Sequence, residues 1–223
     1  MKKNRTIIVQ AFILALIVSL TAAAEDIVSY LEGEVTIRRQ GNPLSAEIGT
    51  ELFAGDIVST EAGALAILSI AGRGDVKLRE STDLAIDSLG SRTAVTLNRG
   101  GLFSRMRKLI GDEEYAVMTP SMVAGVRGTE FFVAYGRKIE TEYDIWLCVN
   151  EGTVEVAIPE AGDSVMVEEG EGINIMGGNR LTDPKFYPWT SDLNWNMEPG
   201  RGDVRDDTDL DEAYADLLDQ DYD

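Results

Sequence analysis

Residues 119–133 read TPSMVAGVRGTEFFV, and how this stretch is parsed decides the architecture of the chain. Pro120 withholds a backbone donor and biases Thr119 toward extended geometry, so a preceding strand ends there. Gly125 and Gly128 permit backbone angles or close approaches that a side chain would block. Beyond them the residues alternate, Phe131 and Val133 toward one face of a strand and Phe132 toward the other. The stretch predicts a corner between strands, with Val126, Arg127 and Thr129 at its apex. Two roles are open to an arginine held there. Its planar donors can satisfy carbonyls left unpaired by an irregular crossover, or grip a carboxylate or phosphate ligand. A motif of Gly, Pro and Thr describes backbone geometry, so fold-locking is the expected role.

On either side of the corner one form recurs. GEVTIRR (33–39), GDVKLRE (74–80) and GTVEVAI (152–158) each place a glycine and a polar residue before an alternation. Val35/Ile37, Val76/Leu78 and Val154/Val156 fall on one face, the mark of half-buried strands after tight turns. Further strands are expected at ALAILSI (64–70), TAVTLN (93–98), YAVMT (115–119), EFFVAY (130–135), DIWLCVN (144–150) and SVMVEE (164–169). RQGNP, AGRGD, NRGG and PEAGD punctuate them. The expected fold is all-β: many short antiparallel strands in a two-sheet sandwich or flattened β-solenoid, with a short C-terminal helix.

GLFSRMRKLIGDEE (101–114) breaks the rhythm. Leu102, Phe103, Met106, Leu109 and Ile110 recur at helical spacing, with Arg105, Arg107 and Lys108 on the other side. The expectation is a helical turn or two over a sheet end; a basic docking patch is the alternative.

The chain starts with the pattern of an export signal. Lys2, Lys3 and Arg5 precede an apolar run from Ile7 to Leu20, and Ala22 and Ala24 offer an A-x-A cleavage site. The run is shorter than the roughly 20 apolar residues of a spanning helix, so cleavage rather than anchoring is expected. No cysteine follows, which excludes a lipid-modified terminus, and no cytoplasmic domain precedes. Removing residues 1–24 takes away three of the 20 basic residues and none of the 39 acidic ones, changing the net charge from −19 to −22. Such acidity argues against nucleic acid, whose phosphates demand a basic face, and against adsorption to anionic lipid. After signal cleavage no membrane insertion is expected, and the location is periplasmic or secreted.

With no histidine in the chain, Cys–His and Ser–His nucleophile pairs and imidazole zinc sites are excluded. Cys148, the single cysteine, cannot bridge within the chain and reads as a buried strand position. No catalytic residue, cofactor or metal site is assigned.

The expected organisation is a signal at 1–24, a β domain at 25–177, a Pro/Trp-rich covering loop at 178–202 and an acidic tail at 203–223. In the loop, Tyr187, Trp189 and Trp195 are expected to cover the strand core, because large rings gain most from burial; a glycan-stacking platform is the alternative. Residues 201–223 hold ten acids against two arginines. Leu210, Ala213, Tyr214, Leu217 and Leu218 nevertheless fall on one helical face, with Thr208 as N-cap and Asp211 three residues on. Leu210, Tyr214 and Leu217 are candidate contacts, to the chain's own domain or to a partner. The aspartates fail as a calcium loop, since Glu212 stands where glycine is needed and Leu218 where a bidentate glutamate belongs. The RGD tripeptides at 73–75 and 201–203 carry no assignment.

TPSMVAGVRGTEFFV resembles the core motif of the FecR domain: Thr-Pro, a few small residues, then Val-Arg-Gly-Thr and a strand with an aromatic. GTELFAGDIVSTEAGALAILSIAGRGDVKLRESTDLAI (49–86) is similar to that domain's first half, LNRGGLF (97–103) and NEGTVEVA (150–157) to its later Gly-led strands, and VEEGEGINI (167–175) to its last. The resemblance spans roughly Val28 to Ile175. It implies an extracytoplasmic all-β domain, a two-sheet stack or flattened β-helix. The family's named member senses iron-loaded citrate transport and relays an outer-membrane receptor's state to a cytoplasmic sigma factor. This chain departs from that pattern in having no cytoplasmic sigma-binding module, and what carries over is an exported recognition domain.

The functional expectation is a non-catalytic binding or scaffold protein in envelope signalling or assembly, whose partner is an envelope protein or surface ligand. The alternative is a periplasmic carbohydrate- or small-anion-binding module, with Trp189 and Trp195 or Arg127 as contacts.

Overall fold

The computed structural model describes residues 25–126, 128–139, 142–177 and 179–210, with the backbone alone at 137–139, 142 and 189. The segment read as an export signal, Arg127, and the tail with Tyr214 and Leu217 lie outside the described residues.

Strands dominate. The first half holds β1 (Ile27–Glu32), β2 (Val35–Arg39), β3 (Asn42–Ser45), β4 (Ile57–Thr60), β5 (Leu65–Ile70), β6 (Gly74–Leu78), β7 (Asp83–Ser88) and the long β8 (Arg92–Met106). The second holds β9 (Glu114–Met118), β10 (Val123–Val126), β11 (Glu130–Ile139), β12 (Glu142–Glu151), β13 (Thr153–Ile158), β14 (Asp163–Glu168) and β15 (Glu171–Met176), then the short β16 (Arg180–Leu181) and β17 (Lys185–Phe186). Single 3-10 turns follow at Pro188–Asp192 and Pro199–Arg201.

Pairing arranges the strands in two runs joined through β8. The upper run is ordered β1-β5-β6-β8-β11-β12-β15, with β16 and β17 beside β15. The lower run is ordered β3-β2-β4-β7-β8-β9-β10-β13-β14. The sheet stays open: at its lower ends β3 pairs with β2 and β14 with β13, and among the described residues no pairing closes a barrel.

Two doubled-over hairpins account for most of this order. In residues 123–158, Val123 lies opposite Ala157 in the lower run and Phe131 opposite Val149 in the upper, so one register continues across the bend. Residues 57–88 double over likewise, with Val58 opposite Leu84 below and Leu68 opposite Val76 above, but there the register shifts by two residues across the bend. Between the hairpins, β8 pairs with β7 up to Arg99 and with β11 from Gly100 onward. Strand β9 then returns parallel to the first half of β8, Arg92 beside Glu114 and Thr96 beside Met118. Parallel neighbours require a crossover, and here it is the second half of β8 with the connection at 107–113.

Gly100 makes the bend in β8 feasible. Its φ is +94°, and a Cβ there would stand 2.6 Å from the Cα of Thr82. Only glycine tolerates both the angle and the approach. The Thr82 hydroxyl accepts from Gly101 N at 3.1 Å, so the ladder change leaves that donor paired.

Side chains from both runs enter one core, including Ile37, Leu84, Leu97 and Val117 from below and Leu68, Leu78, Val133 and Leu147 from above. A second cluster lies on the other face of the upper run, where Phe103, Phe132, Trp146 and Cys148 meet Tyr187, Leu193, Met197 and Val204 of a strap that follows β17. The upper run is therefore buried on both faces, and the reading of residues 101–106 as helical is corrected. Leu102 and Met106 enter the first cluster and Phe103 the second. Apolar residues on both faces of a strand erase the period of two and imitate helical spacing.

Candidate functional site

The motif stretch splits into a turn, a strand and a bend. At residues 119–122 Thr119 N donates to the Met122 carbonyl at 2.9 Å, and the Thr119 hydroxyl accepts from Met122 N at 3.1 Å. Pro120 thus sits in a tight turn between β9 and β10, where its missing N–H is not needed. Gly125 lies inside β10, between Ala116 and Glu155, with nothing within 4 Å of where a Cβ would stand. The expected close approach at Gly125 is absent; the strain is all at Gly128. There φ is +90°, and a Cβ would lie 2.6 Å from the Cα of Lys108. Val126 and Phe131 point into the shared core, and Thr129 is buried between them in sequence.

Glu130, which pattern reading passed over, connects this bend to the strap. Its carboxylate accepts from Arg105 Nε at 2.6 Å and from Asn150 Nδ2 at 2.6 Å. Arg105 also donates through Nη2 to the Trp195 carbonyl at 2.7 Å.

The upper face beneath the strap is held by cations. Asp75 and Lys77 alternate on β6 with Val76 and Leu78, and Arg79 follows just past its end, a spacing that reads as a solvated strand face. Lys77 is instead 2% exposed. Its Nζ donates to the carbonyls of Asn194, of Asn196 at 3.1 Å and of Val204 at 3.0 Å, and lies 4.2 Å from the Phe103 ring centroid. Burial brings its pKa down to about 8. Burial likewise lowers that of Arg79, and Asp206 opposes the shift. Arg79 donates to the Thr208 carbonyl at 2.8 Å, and its Nε stands 3.3 Å from the Asp206 carboxylate. Asn194 and Asn196 brace the strap from within, donating to the carbonyls of Arg205 at 2.6 Å and Gly202 at 3.1 Å. Each buried ammonium or guanidinium thus meets backbone oxygens that irregular chain would otherwise leave unpaired.

The aromatic candidates are distributed unevenly. Trp195 is half-buried, edge-on to Phe103 at 5.1 Å, with Nε1 donating to the Thr190 carbonyl at 2.8 Å. Tyr187 is buried, and burial pushes its pKa up to about 12. Trp189 belongs to the first 3-10 turn. No flat aromatic platform is built from Tyr187 and Trp195. Cys148 lies under the strap, and burial pushes its thiol up to about 12, far from a thiolate's range.

Beside the strap a cleft of about 680 Å³ opens at the bend of β8, and Leu210 is one of its walls. Among the described residues, no group of three or more Cys, Asp or Glu converges as a metal site.

The family model described as FecR protein matches residues 56–155, which is the span from the start of β4 into β13. Two crystal structures of a candidate anti-sigma factor from Parabacteroides distasonis share the fold with a TM-score of 0.50 at 18% identity. The likeness covers 58% of this chain and 59% of that one, so the chain matches less than two thirds of its neighbour's length. No curated protein matches the sequence. The match lies over nearly all of both doubled hairpins and the chain between them, and on that ground residues 56–155 are a FecR domain.

Proposed function

We propose that this chain acts by binding, as a non-catalytic scaffold in cell-envelope signalling or assembly, after export and removal of residues 1–24. The observation that carries this reading is the coincidence of the FecR match with the doubled hairpins, the part of the chain that forms the shared core. The fold neighbour's designation as a candidate anti-sigma factor points the same way. In this reading the two runs face each other as layers of a sandwich, and Arg127 locks the bend beside Gly128. The partner is an envelope protein or a surface ligand. A net charge of −19 disfavours nucleic acid.

The test is fractionation of cells producing the tagged chain, followed by crosslinking in the intact envelope. Support is a product outside the cytoplasm with the mass of residues 25–223, crosslinked to one discrete envelope component. A full-length product confined to the cytoplasm would overturn the reading, as would turnover of a substrate abolished by neutralising one carboxylate.

A further inference from the structure

Four strands stand at the ends of the two runs, and three of them are blunted. Val28 of β1 donates to the Thr50 carbonyl at 2.9 Å and accepts from Gly49 N at 2.8 Å, so a loop covers that edge. β15 is flanked by β16 and β17, and its Asn174 carbonyl accepts from Thr182 N at 3.1 Å. In β3 the two-residue turn Gln40–Gly41 pairs Arg39 with Asn42, which leaves Pro43 in the outward set with no N–H to offer. β14 has no such cover. Alternate residues of an edge strand turn both N–H and C=O outward. Glu168 N, which donates to the Glu171 carboxylate at 2.9 Å, marks that set as Ser164, Met166 and Glu168. Among the described residues nothing pairs with the outward groups of Ser164 and Met166, and Met166 is 52% exposed.

The surroundings specify the occupant. From Ile139 to Asn179 the sequence holds ten acidic residues and no lysine or arginine. Asp163 and Glu168 stand exposed at the two ends of β14, and exposed Glu155 lies opposite Met166 on the same face. Val165, on the other face, is partly buried against the core. A second copy of the chain fits poorly. Antiparallel pairing would set Asp163 of one β14 near Glu168 and Glu169 of the other, and opposed like charges destabilise a ladder. We propose that the β14 edge is a docking site for an extended segment of a partner protein that alternates apolar residues with Lys or Arg. The segment pairs with the backbone of Ser164 and Met166 as an added strand. Its apolar side chains extend the core beside Val165, and its cations lie beside Glu155 and Glu168. The inference rests on the binding role above and gives that role a site and a partner chemistry.

The probe is a capped peptide of alternating Val and Lys, with its Val/Glu counterpart as control. On the full chain, excess Val/Lys peptide should slow hydrogen exchange of the Ser164 and Met166 amides at least about tenfold. Val165 and Val167, already bonded to β13, should not change. Met166→Pro removes an outward donor and none from the β13 ladder, and should weaken peptide binding about tenfold. Asp163→Lys/Glu168→Lys keeps the backbone edge and should shift the preference to the Val/Glu peptide. Unslowed Ser164 and Met166 amides would overturn the inference, as would equal protection by both peptides. Slowing that appears without peptide and grows with protein concentration would assign the edge to a second copy and overturn it too. An envelope crosslink undiminished in both variants would overturn it while leaving the binding role standing.

Discussion

Nζ of Lys77 donates to the carbonyl oxygen of Val204 at 3.0 Å, closing a loop of 127 residues. The same ammonium serves Asn194 and Asn196, so one side chain organises the strap. Lys77→Met keeps the stem and removes the donor. Each carbonyl left unpaired costs about 1–3 kcal/mol, partly offset because no ammonium has to be desolvated. The expected outcome is a lower melting temperature and faster proteolysis within residues 187–204. Unchanged cleavage there would show that the strap is held by its apolar contacts alone.

The two motif glycines should respond in opposite ways. Gly128→Ala forces a side chain into φ +90° and against the backbone of Lys108. Strain of this kind costs about 1–3 kcal/mol, read as a drop in the urea midpoint. Gly125→Ala meets open space inside a strand, where alanine is favoured over glycine by about 0.5–1 kcal/mol. Its midpoint should hold or rise.

Asp56 is 1% exposed and receives Arg39 in a fork, Nε at 2.9 Å and Nη2 at 2.8 Å, with Phe53 N at 2.9 Å. Asp56→Ala removes three hydrogen bonds from the loop entering β4. Arg39 remains partly solvated, so the loss should be about 2–3 kcal/mol rather than the 3–5 of a fully buried broken pair. A loss below 0.5 kcal/mol, the scale of an ordinary surface change, would remove Asp56 from the groups that hold the fold.

Alkaline stability should have a maximum. The folded value of Lys77, about 8, lies below its ordinary 10.5. The unfolded chain therefore holds that proton longer, and stability rises with pH from about 8. Cys148 is opposite: its folded value of about 12 exceeds the ordinary 9.0. Its contribution is complete below pH 9 and is lost above it, at about 1.4 kcal/mol per pH unit. Tyr187 adds the same sign above its ordinary 10.0. Denaturation midpoints should rise from about pH 8, level off between about 9 and 10 where the slopes of Lys77 and Cys148 cancel, and fall above about 10, while in Cys148→Ala the rise should continue to about pH 10. An identical alkaline limb in that variant would contradict the assignment.

Arg127→Ala is expected to lower thermal stability, as the loss of a lock at the bend. An unchanged melting curve with loss of ligand binding would make Arg127 a ligand contact instead.

Much of the architecture was legible because strand periodicity is local. Val76 and Leu78, or Phe131 and Val133, announce their shared face through spacing alone, and glycine marks the bends. The reading of 101–106 failed where both faces of a strand are buried, since alternation then carries no signal. The strap site was hidden for a related reason. Lys77 and Arg79 have the spacing of a solvated face, and their acceptors are backbone carbonyls more than a hundred residues away. Carbonyls have no side-chain identity for a pattern to display. By itself, then, the order of residues determined a strand-rich FecR domain, the positions of its bends and the acidity of its tail. The tertiary structure alone decided that one face of the upper run is sealed by its own chain. Burying a lysine there requires acceptors in three dimensions, and only packing brings them together.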